Sequence, residues 1–443
     1  MDDDPLAMKV PLRLAVCALA PLAPAACADE PEDAPMTVWV YEEPASPGDP
    51  DHALAGAKVA IDPPGGGARI FTVTEADGHV TVRAPFERGG AHVTAVTPDH
   101  TLVTLLDVSP TRASARPNTF GKPASDVVVV LPRLDKSLRA ASVEVRGAIV
   151  GKAAPDDTLN VTASGLARLG AVETSDSSYA LRGPRGRPFF LLGRESGPFT
   201  DDGSIAVEPL VKAFRVDVPS PSGDVNVDLD LKALPPVATR IVHIRAEIPA
   251  GGALGAKVRG SAAILSAESR LLVGAFRRTA PSADGRALDF EVDAIDTDLA
   301  GEHAISRGVL IGDRGAQSIR AELGVVADGT VWSDFAAPPA APEGPRTLAD
   351  PIPLDGFPPG ADLEVQVGGG GKVFWLLRAA PSAGSKTVTI PPQFDVSFGV
   401  SIPETVLLYS VKIVAKLDRI PLPPHGELYR RVAMSREFVV SRR

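Results

Sequence analysis

Proline recurs along the whole chain, 43 times in 443 residues. Each proline lacks an amide hydrogen and crowds the preceding helical turn, so it breaks helices. Placed this often, it excludes a helix bundle and a coiled coil. Proline and glycine together make up about one residue in five, below the roughly 25–30% of low-complexity disordered chains. Hydrophobic residues are 44% of the chain, enough to bury several cores. Many short strands joined by turns satisfy these constraints together. At ~100–200 residues per domain, the length allows two to four domains.

The formal net charge is -10 and the pI about 5.3. Such a chain repels phosphate backbones, and no basic stripe is present, so no nucleic-acid partner is expected. The densest basic cluster, Arg182, Arg185 and Arg187, sits among Gly and Pro and reads as a solvated loop. The only two cysteines are Cys17 and Cys27. Beyond them no disulfide framework, thiolate metal site or Cys–His nucleophile can form.

The amino terminus reads as an address. Lys9 and Arg13 form a basic start, Leu14 to Ala23 is uncharged and apolar, and small residues precede Cys27. Acidic residues follow at once: Asp29, Glu30, Glu32 and Asp33. This is the order of a secretory signal. The apolar run is shorter than the ~20 residues of a membrane-spanning helix. Asp2, Asp3 and Asp4 stand ahead of the basic residues, which leaves Met1 or Met8 as the start. Ala25-Ala26-Cys27 resembles the lipobox of bacterial lipoproteins, with Pro24 where that motif usually has Leu. The resemblance implies a signal peptide over residues 1–27, acylation of Cys27 and a membrane partner through the lipid. Two or more acyl chains anchor firmly where one does not. Residues 28–35, rich in acid and Pro, read as an extended tether.

Residues 36–133 read as a first domain of six or seven short strands at sandwich spacing. Met36 to Tyr41, Ala57 to Ile61, Ile70 to Thr74, His79 to Val82, His92 to Val96, Thr101 to Val108 and Val127 to Leu131 supply them. Asp77-Gly78 between two such runs is a hairpin signal. Leu54-Ala55-Gly56-Ala57-Lys58-Val59, then Thr74-Glu75-Ala76-Asp77-Gly78, then Gly90 to Val96 resemble the carboxypeptidase regulatory-like domain. His92 and His100 stand where that family has aromatics. The resemblance implies a small prealbumin-like sandwich with a structural or adhesive role. Four histidines fall here (His52, His79, His92 and His100), none at the spacing of a preorganised His–His metal site.

Residues 140–236 and 237–340 look weakly alike. Val143 to Arg146 parallels Val242 to Arg245, Leu191 to Gly193 parallels Leu272 to Gly274, and Phe214 to Asp217 parallels Ile319 to Glu322. They read either as a tandem repeat of sandwiches or as one larger β domain. After an Ala/Pro/Glu linker, residues 351–443 read as another Ig- or fibronectin-like sandwich, with Phe374-Trp375 as an aromatic plug. The expected fold class is therefore all-β, a tandem of antiparallel Ig-like and prealbumin-like sandwiches behind a signal peptide and short tether.

Few chemical signatures accompany this architecture. Gly368 to Lys372 lacks the Ser or Thr that a phosphate loop needs, and reads as a hairpin turn. The sequence holds no Gly-x-Ser-x-Gly elbow and no His-Glu-x-x-His. Asp293, Asp296, Asp298 and Glu302 are oxygen ligands of the kind calcium takes, but their spacing is not that of a 12-residue EF loop; a solvated acidic loop is the other reading. No catalytic residue, no other metal site and no cofactor is nominated. The expected role is that of a non-catalytic envelope lipoprotein with a structural, adhesive or binding function and a protein or glycan partner. A secreted hydrolase or a carbohydrate-binding module is the alternative, and a cleft with convergent carboxylates or histidines would favour the enzyme.

Overall fold

A computed structural model of the chain describes residues between 34 and 441. It leaves out 44–51, 109–121, 135–141, 165–170, 202–205, 267–271, 296–303, 354–359, 380–386, 389–407 and shorter stretches. Cys27 and the leader lie outside the described residues. The described residues contain strands and no helix, so the fold is all-β.

One pairing plan recurs. In the first unit, Ala34–Glu42 pairs antiparallel with His79–Ala84 and parallel with Val127–Leu131. Lys58–Asp62 pairs with Ile70–Val73 and Ala91–Val96, and the latter pairs with Leu102–Val108. In strand order, the first strand pairs with the fourth and seventh, the second with the third and fifth, and the fifth with the sixth. Strands alternate their side chains between two faces, so each sheet presents one apolar face. Met36, Val38 and Val40 meet Val59, Ile61, Val93 and Ala95 between the two sheets.

The same plan governs the second unit. Ser142–Val150 pairs with Ser178–Pro184 and, parallel, with Val225–Asn226 and Leu229–Asp230. Thr158–Ala163 pairs with Ala171–Thr174 and Phe189–Ser196, which pairs with Leu210–Val218. Arg182 therefore lies on a strand, opposite Glu144, not in a loop. The alternating run from Val225 to Leu231 is split into two short strands. Between them Asp228 Oδ1 accepts the Ala148 N–H at 2.8 Å, while the Tyr179 hydroxyl donates to Val227 O at 2.7 Å. Gly147 permits this approach: a Cβ there would lie 2.0 Å from Val227 O.

The third unit repeats the order with Thr239–Glu247, Val258–Ser266, Leu272–Pro281, Ala287–Ile295, Ala304–Gly312, Gln317–Leu323 and Thr330–Trp332, and adds one pairing, of the third strand with the fourth, that links its two sheets. The fourth keeps all of it but the first-to-seventh pairing, which is absent among the described residues, through Ile352–Pro353, Asp362–Gly369, Lys372–Ala379, Thr387–Val388 and the long Leu408–Leu422. Its sixth position is filled by Gly426–Met434 and Phe438–Ser441.

Of the three sequence parallels between the middle units, two fall on equivalent strands. Val143 to Arg146 and Val242 to Arg245 lie on first strands, and Phe214 to Asp217 and Ile319 to Glu322 on sixth strands. Leu191 to Gly193 lies on a fifth strand and Leu272 to Gly274 on a third.

Edge strands join the units. Leu102–Val108 of the first pairs parallel with Lys372–Ala379 of the fourth. Trp375 is fully buried at this seam, and its indole N–H donates to Thr104 Oγ1 at 2.9 Å. Ala60, Val96, Leu102 and Leu106 share the fourth unit's core with Val365, Trp375 and Tyr409. Gln317–Leu323 and Gly426–Met434, the sixth strands of units three and four, pair antiparallel with each other. Between the middle units, Phe190 and Leu192 turn away from Leu191 and join the core built by Val242, Phe290 and Trp332.

Candidate binding groove

The outer face of the third unit carries an open groove of about 400 Å³, lined among others by His243, Arg245, Asp289 and Glu291. Its position follows from strand parity. Val242, Ile244 and Ala246 point into the core from one strand, as do Leu288, Phe290 and Val292 from the next. The residues between them face out. The antiparallel register then sets His243 opposite Glu291 and Arg245 opposite Asp289.

The charges are placed by short turns. Arg245 Nη1 donates to Asp289 Oδ1 at 3.2 Å, and its Nη2 lies 3.8 Å from Asp284 Oδ1. Asp284 is held within the 282–287 turn, where its Oδ1 accepts the Ser282 hydroxyl at 2.6 Å and the Arg286 N–H at 3.1 Å. The Ser282 hydroxyl, followed by the Arg286 amide, keeps the Asp284 carboxyl below the usual range. On the other side, Asp328 Oδ1 accepts the His243 backbone N–H at 2.7 Å and meets the ring Nδ1 at 2.8 Å. That backbone bond, followed by the ring contact, lowers the Asp328 carboxyl.

The groove thus presents a guanidinium, an imidazole and several carboxylates at the surface, on a rigid sheet. Exposed charge pairs of this kind contribute about 0–1 kcal/mol to stability, so their arrangement serves the fold little. They can exchange their internal pairs for a polar ligand laid across the sheet, with charge complementarity fixing its register.

Of the acidic residues that sequence reading offered to calcium, only Asp293 is described. It lies two residues beyond Glu291 on the same strand and is 4% exposed. Asp296, Asp298 and Glu302 lie outside the described residues, as does Cys27. Gly369 pairs with Lys372 at the facing ends of two antiparallel strands, while Gly370 and Gly371 lie outside the described residues. In the first unit His100 is 5% exposed and meets Glu42 Oε2 at 3.1 Å, where the Arg133 guanidinium also donates at 2.8 Å. His92 is pushed down, by burial first, against the opposing pull of Asp62 and Asp107. His79 belongs to the Asp77-Gly78 hairpin, where its ring Nδ1 meets Asp77 Oδ1 at 2.6 Å, and a Glu75, Asp77 and His79 ligand atom all lie within 4.8 Å of one another. The 75–79 spacing places alternate side chains on one side of the turn, a signal that a search for paired histidines passes over. Among the described residues, no helix is long and apolar enough to cross a membrane.

No protein-family model matches the chain, and no curated protein matches it. Among solved structures it is similar to the Bacillus anthracis TIE protein, at 9% identity and a TM-score of 0.16, over 68% of this chain and 50% of that one. The chain thus spans about half the length of that protein. It is also similar to GBS52, the minor pilin of Streptococcus agalactiae, at 10% identity and a TM-score of 0.16, over 49% of this chain and 99% of that one. A third is the Bacteroides ovatus SGBP-B of a mixed-linkage glucan utilization locus, solved with a heptasaccharide: 14% identity, a TM-score of 0.12, and 65% and 60% of the two chains. Likenesses of this size carry no argument about what this chain binds.

Proposed function

We propose that the chain is an exported binding protein without catalysis of its own, held at a bacterial membrane by acyl chains on Cys27. Its binding face is the groove of the third unit, and its ligand is a polar segment of an envelope protein or glycan. The groove carries this reading: charged side chains of both signs are aligned by strand register on a rigid face and stay exposed. The Lys9-to-Cys27 leader supports export and anchoring, and the carboxypeptidase regulatory-like resemblance of residues 37–108 agrees with a module that binds.

Peptide and glycan arrays probed with the soluble Cys27→Ser chain test the groove. Binding that disappears in Arg245→Ala and in Asp289→Ala, with unfolding curves unchanged, is the expected result. Binding that survives both substitutions rejects the groove. Cell fractionation tests the anchor: Cys27→Ser should move the protein from the membrane to the soluble fraction, and the mature amino terminus should carry an acyl mass on Cys27. A wild-type protein already in the soluble fraction rejects it.

A further inference from the structure

Among the described residues, one set of three His, Asp or Glu side chains brings a ligand atom from each within 4.8 Å of the others. It consists of Glu75, Asp77 and His79, on the Asp77-Gly78 hairpin of the first unit. An imidazole with two carboxylates is a donor set of distinct chemistry. Nitrogen and oxygen donors together suit zinc and its neighbours in the transition series, whereas calcium and magnesium take oxygen alone.

The backbone fixes the turn that carries these donors. The Glu75 N–H donates to His79 O at 2.8 Å, and the Gly78 N–H to Glu75 O at 3.0 Å. The Val40 N–H then ties the turn to the neighbouring strand by donating to Gly78 O at 2.9 Å. Gly78 has a φ of +83°, and a Cβ there would lie 2.7 Å from Ala53 Cβ, so only glycine closes the hairpin this way.

The imidazole is fixed by a contact from outside the set. His79 stands opposite Trp39 in the strand register, and the two rings lie 4.8 Å apart at 31°. Trp39 is held in turn: its indole N–H donates to Asp126 Oδ2 at 2.8 Å, and Lys122 Nζ lies 3.6 Å from the ring centre. This leaves His79 Nδ1 turned toward Asp77 Oδ1, at 2.6 Å, with the His79 side chain 26% exposed. Groups that orient a ligating histidine are worth about 10–100-fold in metal affinity.

We propose that Glu75, Asp77 and His79 bind one divalent cation of the zinc class, with a further coordination position left to water. Zinc bonds of ~2.0–2.2 Å set tetrahedral ligands about 3.3 Å apart. Donors already within 4.8 Å reach that spacing through the exposed Glu75 and Asp77 side chains, with the turn unmoved. The cation offsets the charge of both carboxylates and replaces the direct Asp77–His79 contact.

The test uses the untagged full chain carrying Cys17→Ser and Cys27→Ser, so that no thiolate competes for metal. Titration calorimetry should show one Zn²⁺ bound per chain, undisturbed by a large excess of Ca²⁺. His79→Ala and, separately, Glu75→Gln should each raise the Kd at least about tenfold, since each removes a ligand. Glu75 is exposed, so Glu75→Gln decides the matter even if His79→Ala disturbs folding. Ni²⁺ should quench the fluorescence of Trp39, and Trp39→Phe should abolish the quenching, because Trp332 and Trp375 are buried elsewhere. Absence of zinc binding up to about 1 mM overturns the proposal. So do binding indifferent to both ligand substitutions, displacement of zinc by Ca²⁺, and quenching that persists in Trp39→Phe. The groove is untouched by these substitutions, so its array binding is scored separately.

Discussion

The third and fourth units each carry a cluster of opposite charges on a sheet face, and the two clusters have opposite fates. In the third unit, Arg245 meets Asp289 and Asp284 with every side chain substantially exposed. In the fourth, Glu364 is buried and accepts from Lys416 Nζ at 2.7 Å, Gln366 Nε2 at 2.8 Å and Arg378 Nε at 3.1 Å. Burial by itself would raise the Glu364 carboxyl, but Lys416 and Arg378, aided by hydrogen bonds from Lys416 and Gln366, outweigh it and hold it at about 2. The difference lies in what covers each face. On the Glu364 face Leu376, opposite Gln366, is buried and joins the first unit's core, whereas the groove faces solvent. A buried, fully paired charge is bound to the fold; an exposed one is free to change partners.

The largest expected effect is that of Glu364→Gln. It leaves Lys416 and Arg378 facing an uncharged amide at a buried site, and breaking such pairs costs roughly 3–5 kcal/mol. Urea unfolding should show this loss, and a loss below about 1 kcal/mol would equate the two clusters. Acid titration comes next. The folded Glu364 carboxyl, at about 2, lies below its ordinary 4.5, so its contribution is complete above pH 4.5 and fades as pH falls toward 2. Linkage puts this at roughly 3 kcal/mol. The corresponding part of the stability–pH slope should vanish in Glu364→Gln. Arg245→Ala should change stability by no more than about 1 kcal/mol, yet abolish groove binding on the arrays. The smallest effect is expected from Asp328→Asn. Its carboxyl is also held low, so the sign is again a loss of stability toward acid, but full exposure should leave the melting midpoint indistinguishable from wild type by calorimetry.

The strands easiest to read were those with alternating β-branched residues and a defined turn. Ala34–Glu42 and the hairpin at Asp77-Gly78 follow from local pattern alone. Val258–Ser266 has no such pattern, because Gly, Ser and Ala occupy much of it. Its composition answers a tertiary demand: a Cβ on Gly260 would lie 2.8 Å from Leu288 Cδ1 and Phe290 Cζ. Gly426–Met434, with three charged residues, was hidden because its alternation is interrupted by Arg430-Arg431. The groove was invisible for a different reason. Arg245 and Asp289 are neighbours only through the pairing of first and fourth strands, and no local signal specifies that partner. The repeated plan lies mostly in hydrogen-bond order, so apolar dipeptides such as Leu191-Leu192 aligned to the wrong strand.

The seam between Leu102–Val108 and Lys372–Ala379 also sets a timetable. Thr104 and Trp375 are separated by 271 positions, so the first unit is synthesised long before the strand that completes its sheet exists. Through that interval Leu102, Leu106, Ala60 and Val96 lack the apolar cover they have in the finished molecule. Late closure of this kind slows folding and favours capture by chaperones or by another nascent chain. The last quarter of the polypeptide thus acts on the first as a built-in protector that arrives only when translation is nearly over.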